Sequence, residues 1–111
     1  MTPYLEVHVT AGTREEAEKI CNAAVQGRAA ACAQIAGPVS SVYWWAGKVQ
    51  RDEEFLILMK TSKDRLDELI SVVKAEHSYE TPEIIAIPIE GGLADYLTWI
   101  KSETAESPLA G

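Results

Sequence analysis

Positive charge is scarce in this chain of 111 residues, because ten Lys and Arg stand against seventeen Asp and Glu and leave a formal charge of −7. A negative field of this size repels phosphate backbones and anionic lipid headgroups, so we predict no nucleic-acid partner. No apolar run approaches the roughly 18 residues that a membrane-spanning helix needs. The start, from Met1 to Glu6, has no basic region followed by an apolar stretch. We therefore expect no membrane partner and a cytoplasmic protein.

Cysteine is also scarce, and the sequence lacks the short motifs of several enzyme classes. Cys21 and Cys32 lie eleven positions apart without C-x-x-C spacing, which excludes the usual zinc and redox motifs, so we expect both to be reduced core residues. G-x-S-x-G, G-x-x-x-x-G-K-[ST] and G-x-G-x-x-G are absent from the sequence. We therefore predict that the protein is not an enzyme.

The composition is that of a globular protein, with 47% apolar and 24% charged residues. This length suits one domain and is too short for two ordinary ones. We expect a single domain over residues 1–101, followed by a polar, flexible tail over residues 102–111.

Four strands and three helices are predicted from periodicity and from cap and turn residues. The strands are expected over residues 4–10, 29–45, 48–60 and 84–89. The helices are expected from Thr13 to about Gln26, from Ser62 to about His77, and from Leu93 to about Ile100. Thr13 and Ser62 are predicted N-caps, and Gly27 is predicted to end the first helix in the left-handed conformation. Ala46-Gly47 supplies a two-residue turn, so the second and third strands form a long hairpin.

The order of these elements, β-α-β-β-α-β with an added helix, predicts an α+β fold of the ferredoxin-like type. Both long helices would pack on one face of a four-stranded antiparallel sheet. The opposite face would stay apolar, for example at Ile85 and Ile87, and a chain of this length has no spare element to cover it. We therefore predict a homo-oligomer that covers this face.

The aromatic cluster Tyr43-Trp44-Trp45 is expected near the end of the hairpin, where one subunit cannot bury all three rings. We predict that it lies at an oligomer interface, since large aromatic residues are enriched there. The alternative is a cross-strand aromatic pair that covers the hairpin of its own subunit. His8 is expected on the covered face of the sheet, as an interface histidine.

A histidine and several carboxylates occur together in one short segment, at Glu76, His77, Glu80 and Glu83. Such a mixture can bind a divalent cation, and we take His77, Glu76 and Glu80 as the candidate metal ligands. The alternative is that His77 only complements the dipole at the end of its helix.

Four blocks of the sequence form a recognisable set. They are Ser41-Val42-Tyr43-Trp44-Trp45-Ala46-Gly47-Lys48-Val49, the segment from His77-Ser78-Tyr79-Glu80-Thr81-Pro82 to Ile89, Arg28-Ala29-Ala30-Ala31-Cys32, and Asp95-Tyr96-Leu97-Thr98-Trp99. These blocks resemble the CutA family of divalent-cation tolerance proteins. The resemblance extends over nearly the whole chain. It implies a PII-like homotrimer in which strand extensions pair across subunits, and a link to tolerance of copper and other divalent cations.

Copper-binding members of that family are similar to one another at three positions, which correspond here to Val9, Glu76 and His77. They have a cysteine near the end of the first strand and two adjacent histidines, of which only His77 is present in this chain. The resemblance therefore implies weak binding of copper or zinc as the only cofactor, through His77 and nearby carboxylates.

A second reading keeps the PII-like trimer but makes it a sensor or scaffold. In that case the clefts between subunits hold a small anionic ligand. The residues that we assign to such a cleft are Arg28, Cys32, Lys60, Tyr79 and Glu83.

Overall fold

The computed structural model describes residues 2–105, which form a four-stranded sheet and three α-helices. The elements are β1 (Tyr4–Ala11), α1 (Arg14–Gln26), β2 (Cys32–Trp45), β3 (Lys48–Ser62), α2 (Leu66–Glu76), β4 (Ile84–Pro88) and α3 (Ala94–Thr104), with a short 3-10 turn (Lys63–Arg65) before α2. The predicted ferredoxin-like order, with an added C-terminal helix, is confirmed. No helix in residues 2–105 is long and apolar enough to cross a membrane.

The sheet has the order β2-β3-β1-β4, and every neighbouring pair is antiparallel. One face of the sheet packs against α1 and α2. Buried residues from both layers form the core: Leu5, Val7, Val9, Ala11, Ile57 and Met59 from the sheet, and Ala17, Ile20, Ala24, Leu69 and Val73 from the helices. Buried and half-buried residues alternate along β1, so the alternation of apolar and polar residues in its sequence indicates a strand with one buried face.

The β2–β3 hairpin is as long as predicted, with 14 residues in β2 and 15 in β3. Ala46 (φ 54°) and Gly47 (φ 76°) both have positive φ, which is the geometry of the type I′ turn that matches the twist of two-residue hairpins. The pairing shifts register between Ala36 and Val39, next to Pro38. The hairpin extends the subunit, whose longest dimension is 48 Å.

The first helix begins as predicted but ends differently. The Thr13 side chain accepts a hydrogen bond from the Glu16 amide at 3.1 Å. Gly27 is right-handed (φ −82°), and Arg28 takes the left-handed conformation instead (φ 57°), so the prediction for Gly27 is wrong. The Arg65 guanidinium donates to the main-chain oxygens of Gly27 and Arg28, both at 3.4 Å. This tertiary contact stabilises the left-handed conformation at Arg28, which glycine adopts more readily than any other residue.

Ser62 and the C-terminal residues also differ from the prediction. Ser62 makes no cap hydrogen bond with its side chain. Its Oγ lies 2.8 Å from Thr104 Oγ1, and both residues are buried. The packed part of the chain therefore continues beyond residue 101, because α3 runs to Thr104. Residues 106–111 of the predicted tail lie outside the described residues.

The open face is the side of the sheet opposite α1 and α2. Helix α3 covers its end at Ser62, which corrects the expectation that no element of the chain lies on it. Beyond α3 the face is mixed. Ile85 and Ile87 on β4 are 49% and 40% exposed and Leu56 and Leu58 on β3 are half-buried. Between these two apolar pairs lie the β1 side chains of Glu6, His8 and Thr10.

Candidate functional site

His77 follows α2 directly, and its imidazole is completely buried. Its Nε2 lies 2.7 Å from the main-chain oxygen of Thr10, and this oxygen can only accept, so Nε2 carries a proton. Its Nδ1 accepts a hydrogen bond from the Tyr79 amide at 3.1 Å. Both ring nitrogens are therefore used within the chain, and no lone pair is free to bind a metal ion.

Glu16 lies beside His77 and holds the same segment. Its Oε1 accepts a hydrogen bond from the Ser78 amide at 3.0 Å, instead of bonding back to the helix N-terminus as a full capping box would. Its Oε2 is buried 3.7 Å from Nδ1 of His77 and has no hydrogen-bond partner among the described residues. The segment after α2 is thus fixed to α1 through Glu16 and to β1 through His77.

The predicted metal ligands do not form a coordination site. Glu76 is half-buried and Glu80 is exposed. Val9, at the position that matches a family cysteine, is fully buried in the core. Within residues 2–105, no group of three or more His, Cys, Asp or Glu side chains is arranged to hold a metal ion. The residues present do not fit a copper centre of the thiolate and imidazole type.

A cleft of about 630 Å³ lies between the hairpin and the segment that follows α2. We call it the acidic cleft. It is lined by Thr10, Ser41, Val42, Tyr43, Trp45, Asp52, Glu54, Tyr79, Glu80, Thr81 and Glu83. Four of these side chains are carboxylic acids, and none is Lys, Arg or His. The cleft therefore favours a positively charged occupant.

Tyr79 crosses the acidic cleft and donates a hydrogen bond from its hydroxyl to Glu54 Oε2 at 2.9 Å. Glu54 is only 7% exposed. A Cβ at position 12 would lie 3.0 Å from the Tyr79 hydroxyl, so Gly12 is what allows the phenol to pass. Burial, together with the Glu54 carboxylate, raises the pKa of Tyr79.

Tyr43 forms the second phenol–carboxylate pair of the cleft, with its hydroxyl donating to Asp52 Oδ2. This hydrogen bond raises the pKa of Tyr43 above its ordinary value. Tyr43 and Trp45 lie on the cleft side of the hairpin. Trp44 points to the other side, where it pairs with Val49 and is 74% exposed. The predicted aromatic cluster is thus divided between the two faces of the hairpin.

The residues assigned to an anion-binding cleft do not line one cavity in the subunit. Tyr79 and Glu83 line the acidic cleft, where carboxylates disfavour an anion. The basic candidates are paired elsewhere. Lys60 Nζ lies 3.4 Å from Glu6 and 3.2 Å from Gln34 Oε1, and Arg28 lies 3.4 Å from Glu103.

Cys32 and His8 lie at the open face. Cys32 Sγ is 3.5 Å from the Tyr96 hydroxyl on α3, so the prediction that this cysteine lies in the core between the sheet and helices α1 and α2 is wrong. Cys21, by contrast, is partly buried against that core. His8 Nε2 lies 2.7 Å from Glu6 Oε2. The same Glu6 carboxylate also pairs with Lys60, which lies directly opposite Glu6 on β3.

Sequence reasoning missed Asp52 and Glu54, which are the two carboxylates that bond to the phenols of the cleft, and of which Glu54 is buried and Asp52 exposed. A signal for them was present, because a two-residue turn at Ala46-Gly47 fixes the pairing of the hairpin and places Asp52 opposite Ser41. It therefore sets Tyr43, Asp52 and Glu54 on one face.

The model of the CutA1 divalent ion tolerance protein family matches residues 5–103 of this chain. The chain belongs to the CutA1 family. It is 44% identical to the divalent-cation tolerance protein CutA of Archaeoglobus fulgidus over 90% of this chain and 96% of that protein. It is also 44% identical to the chloroplastic protein CutA 1 of Oryza sativa, over 95% of this chain. The chain spans only 59% of the length of that rice protein and 56% of the chloroplastic CutA of Arabidopsis thaliana.

Solved structures of CutA1 proteins have the same fold. The divalent cation tolerance protein of Thermus thermophilus superposes with a TM-score of 0.90 at 39% identity, over 92% of this chain and 99% of that one. CutA1 of Oryza sativa superposes with a TM-score of 0.91 at 43% identity, over 96% and 97% of the two chains. The family description names tolerance of divalent ions and no reaction.

Proposed function

We propose that this CutA1-family chain acts in divalent-cation tolerance as a homotrimer assembled through the open face. The observation that carries the proposal is the exposure of Ile85 and Ile87 on β4, which lie on the same face of the sheet as the half-buried Leu56 and Leu58 on β3. Several large apolar side chains on one face of a sheet favour coverage of that face by another subunit. Three copies arranged around a rotation axis would bury it in a closed assembly.

The hairpin supplies a second contact in this proposal. Trp44 is 74% exposed and its cross-strand partner Val49 is 51% exposed, far from the core of their own subunit. A tryptophan in this position gains most free energy when another surface covers it. Tyr43 and Trp45 would reach the interface only by their edges, since they also line the acidic cleft.

Sedimentation velocity of the purified chain tests the assembly, and the expected result is a single species of three times the subunit mass. Ile87→Lys should yield monomers, because it places an unpaired charge in the covered face. Val25→Lys is the matched control, since Val25 is also exposed (38%) but lies on the outer helix α1. A monomeric wild-type chain, or equal dissociation of both variants, would contradict the proposal.

The cation partners are proposed to bind weakly, without a preformed coordination site. The support is the charge of −7 and the presence of Glu76 and Glu80 near the surface, combined with a His77 whose nitrogens are both engaged. Zinc or copper would therefore be attracted mainly by the overall negative field. This makes the binding sensitive to salt, since exposed charges are screened within about 10 Å at 0.1 M ionic strength.

Equilibrium dialysis with zinc and with copper, at low and at high salt, tests this mode of binding. Both metals should bind more weakly at high salt, and His77→Gln should leave binding unchanged. Stoichiometric binding that resists salt and disappears in His77→Gln would instead show that the histidine is a ligand.

No catalysis is part of this proposal. Cys32, the cysteine on the open face, lies next to the Tyr96 hydroxyl rather than a histidine, and both histidines are hydrogen-bonded elsewhere. The cytoplasmic location stays a prediction from the sequence. The names of relatives include two chloroplastic proteins and one periplasmic protein, so family membership does not determine the compartment.

A further inference from the structure

The acidic cleft contains a buried carboxylate that no positive charge compensates. Glu54 is more than nine-tenths buried, and Tyr79 supplies one neutral hydrogen bond to its Oε2. That bond is the one side-chain hydrogen bond of Glu54 within residues 2–105. Oε1 of Glu54 makes no hydrogen bond among the described residues, so it can still accept one from a cation that enters the cleft.

The other walls of the cleft determine what kind of cation fits. Trp45, Tyr43 and Tyr79 present aromatic rings, and Asp52 provides a second carboxylate near Glu54. Aromatic faces attract organic cations when these approach within about 6 Å of the ring. A metal ion would instead need several oxygen ligands converging on one point, and the described side chains do not converge in this way.

We propose that the acidic cleft is a binding site for an organic cation with an ammonium or guanidinium head group. The head group lies against Glu54 and Asp52, and its carbon chain lies along Trp45 and the phenol rings. The volume of about 630 Å³ exceeds what a single ion fills and suits a small amine.

The charge of the cleft already affects its own side chains. The Glu54 carboxylate contributes to raising the pKa of both Tyr79 and Tyr43, after burial in the first case and after the hydrogen bond to Asp52 in the second. Both phenols therefore stay protonated and keep donating to their carboxylates. Each carboxylate keeps lone pairs that an ammonium can reach.

This site goes beyond the proposed role in divalent-cation tolerance and uses different chemistry. A divalent metal held by the overall negative field would not distinguish Glu54 from other carboxylates. An organic cation in the cleft depends on Glu54 and Asp52 in particular.

The experiment is a titration of the intact chain with n-butylammonium chloride, followed by NMR shifts of the Trp45 indole and the Tyr79 amide. n-Butanol serves as the neutral ligand of the same shape. We expect saturable shifts with n-butylammonium and shifts at least tenfold weaker with n-butanol. Equal responses to both ligands would overturn the proposal.

Two variants and a matched control identify the site. Glu54→Gln should raise the dissociation constant of n-butylammonium at least tenfold while keeping an acceptor for Tyr79, and Asp52→Asn should raise it several-fold. Glu53→Gln makes the same change of charge on the neighbouring residue, which is exposed and outside the cleft lining, and should leave binding unchanged.

Three results would overturn the assignment. The first is equal weakening by Glu53→Gln, which would indicate a general charge effect. The second is zinc that competes with n-butylammonium and is itself lost in Glu54→Gln, which would make the cleft a metal site. The third is dissociation of the oligomer by Glu54→Gln with no amine binding to the wild type, which would mean that a second copy fills the cleft.

Discussion

His77 and Thr10 are joined by a hydrogen bond of 2.7 Å between the imidazole Nε2 and a main-chain oxygen, 67 positions apart in the sequence. The bond ties the residue after α2 to the end of β1. Because Nδ1 also accepts from the Tyr79 amide, one buried ring positions the segment that forms a wall of the acidic cleft.

Replacing His77 should therefore destabilise the fold rather than abolish cation binding. His77→Ala leaves the Thr10 oxygen and the Tyr79 amide without partners and should cost about 2–3 kcal/mol of unfolding free energy. Urea denaturation at a fixed protein concentration measures this. Ser78→Ala, which changes an exposed side chain, is the control. Unchanged stability with lost zinc binding would mean that the ring is a ligand after all.

Substitution of Gly12 should displace Tyr79 from Glu54. In Gly12→Ala the new methyl group would lie 3.0 Å from the phenol oxygen, and overpacking of this kind costs about 1–3 kcal/mol. Adding Tyr79→Phe should remove most of this cost, because the nearest ring atoms are at 3.7 Å. Gly91→Ala, which meets nothing within 4 Å, should be neutral. A double-mutant cycle without coupling would contradict the contact.

Stability should depend on pH through Glu6. The hydrogen bond with His8, together with the Lys60 ammonium, holds the pKa of Glu6 below its ordinary value. A lowered pKa in the folded state stabilises the fold above the unfolded value of about 4.3, and this contribution is lost as pH falls through the folded pKa.

Urea denaturation between about pH 7 and about pH 3 tests this dependence. Glu6→Gln should flatten the acidic part of the stability profile. Glu18→Gln, an exposed change on α1, should keep the slope of the wild type. Parallel profiles for all three proteins would exclude Glu6 as the group responsible.

The contact between α3 and β3 depends on two buried hydroxyls. Thr104 donates its proton to the Ile100 oxygen at 2.8 Å, so Ser62 is the donor in the pair at 2.8 Å between them. Thr104→Val leaves the Ser62 hydroxyl unpaired and should cost about 1–2 kcal/mol. Adding Ser62→Ala should recover part of this loss in thermal denaturation, whereas Thr98→Val on the exposed side of α3 should have little effect.

Local sequence signals predicted the elements and much of their arrangement. The alternation of Leu5, Val7 and Val9 identified a strand with one buried face, and Thr13 marked the start of α1. Ala46-Gly47 identified the hairpin turn through its glycine, since Gly47 takes positive φ without steric cost, whereas the positive φ of Ala46 is one that alanine rarely adopts. These signals act within a few residues and are therefore readable from the chain.

The details of the site depend on contacts between distant segments, and these could not be read in the same way. The left-handed residue is Arg28 rather than Gly27, where Arg65 binds both main-chain oxygens. His77 was interpreted from its acidic neighbours, yet its partners are main-chain groups of Thr10 and Tyr79. Neither the left-handed conformation of Arg28 nor the main-chain partners of His77 follow from local propensity, because hydrogen bonds between distant segments outweigh it.

Strand β2 forms one border of the sheet, and along its 14 residues one row of amide and carbonyl groups has no neighbouring strand within residues 2–105. Such a border is a template for uncontrolled pairing with other chains and for fibril growth. A newly made chain is therefore at risk of aggregation for as long as this border stays uncovered, so the amount of soluble protein that survives synthesis depends on how soon the border is covered.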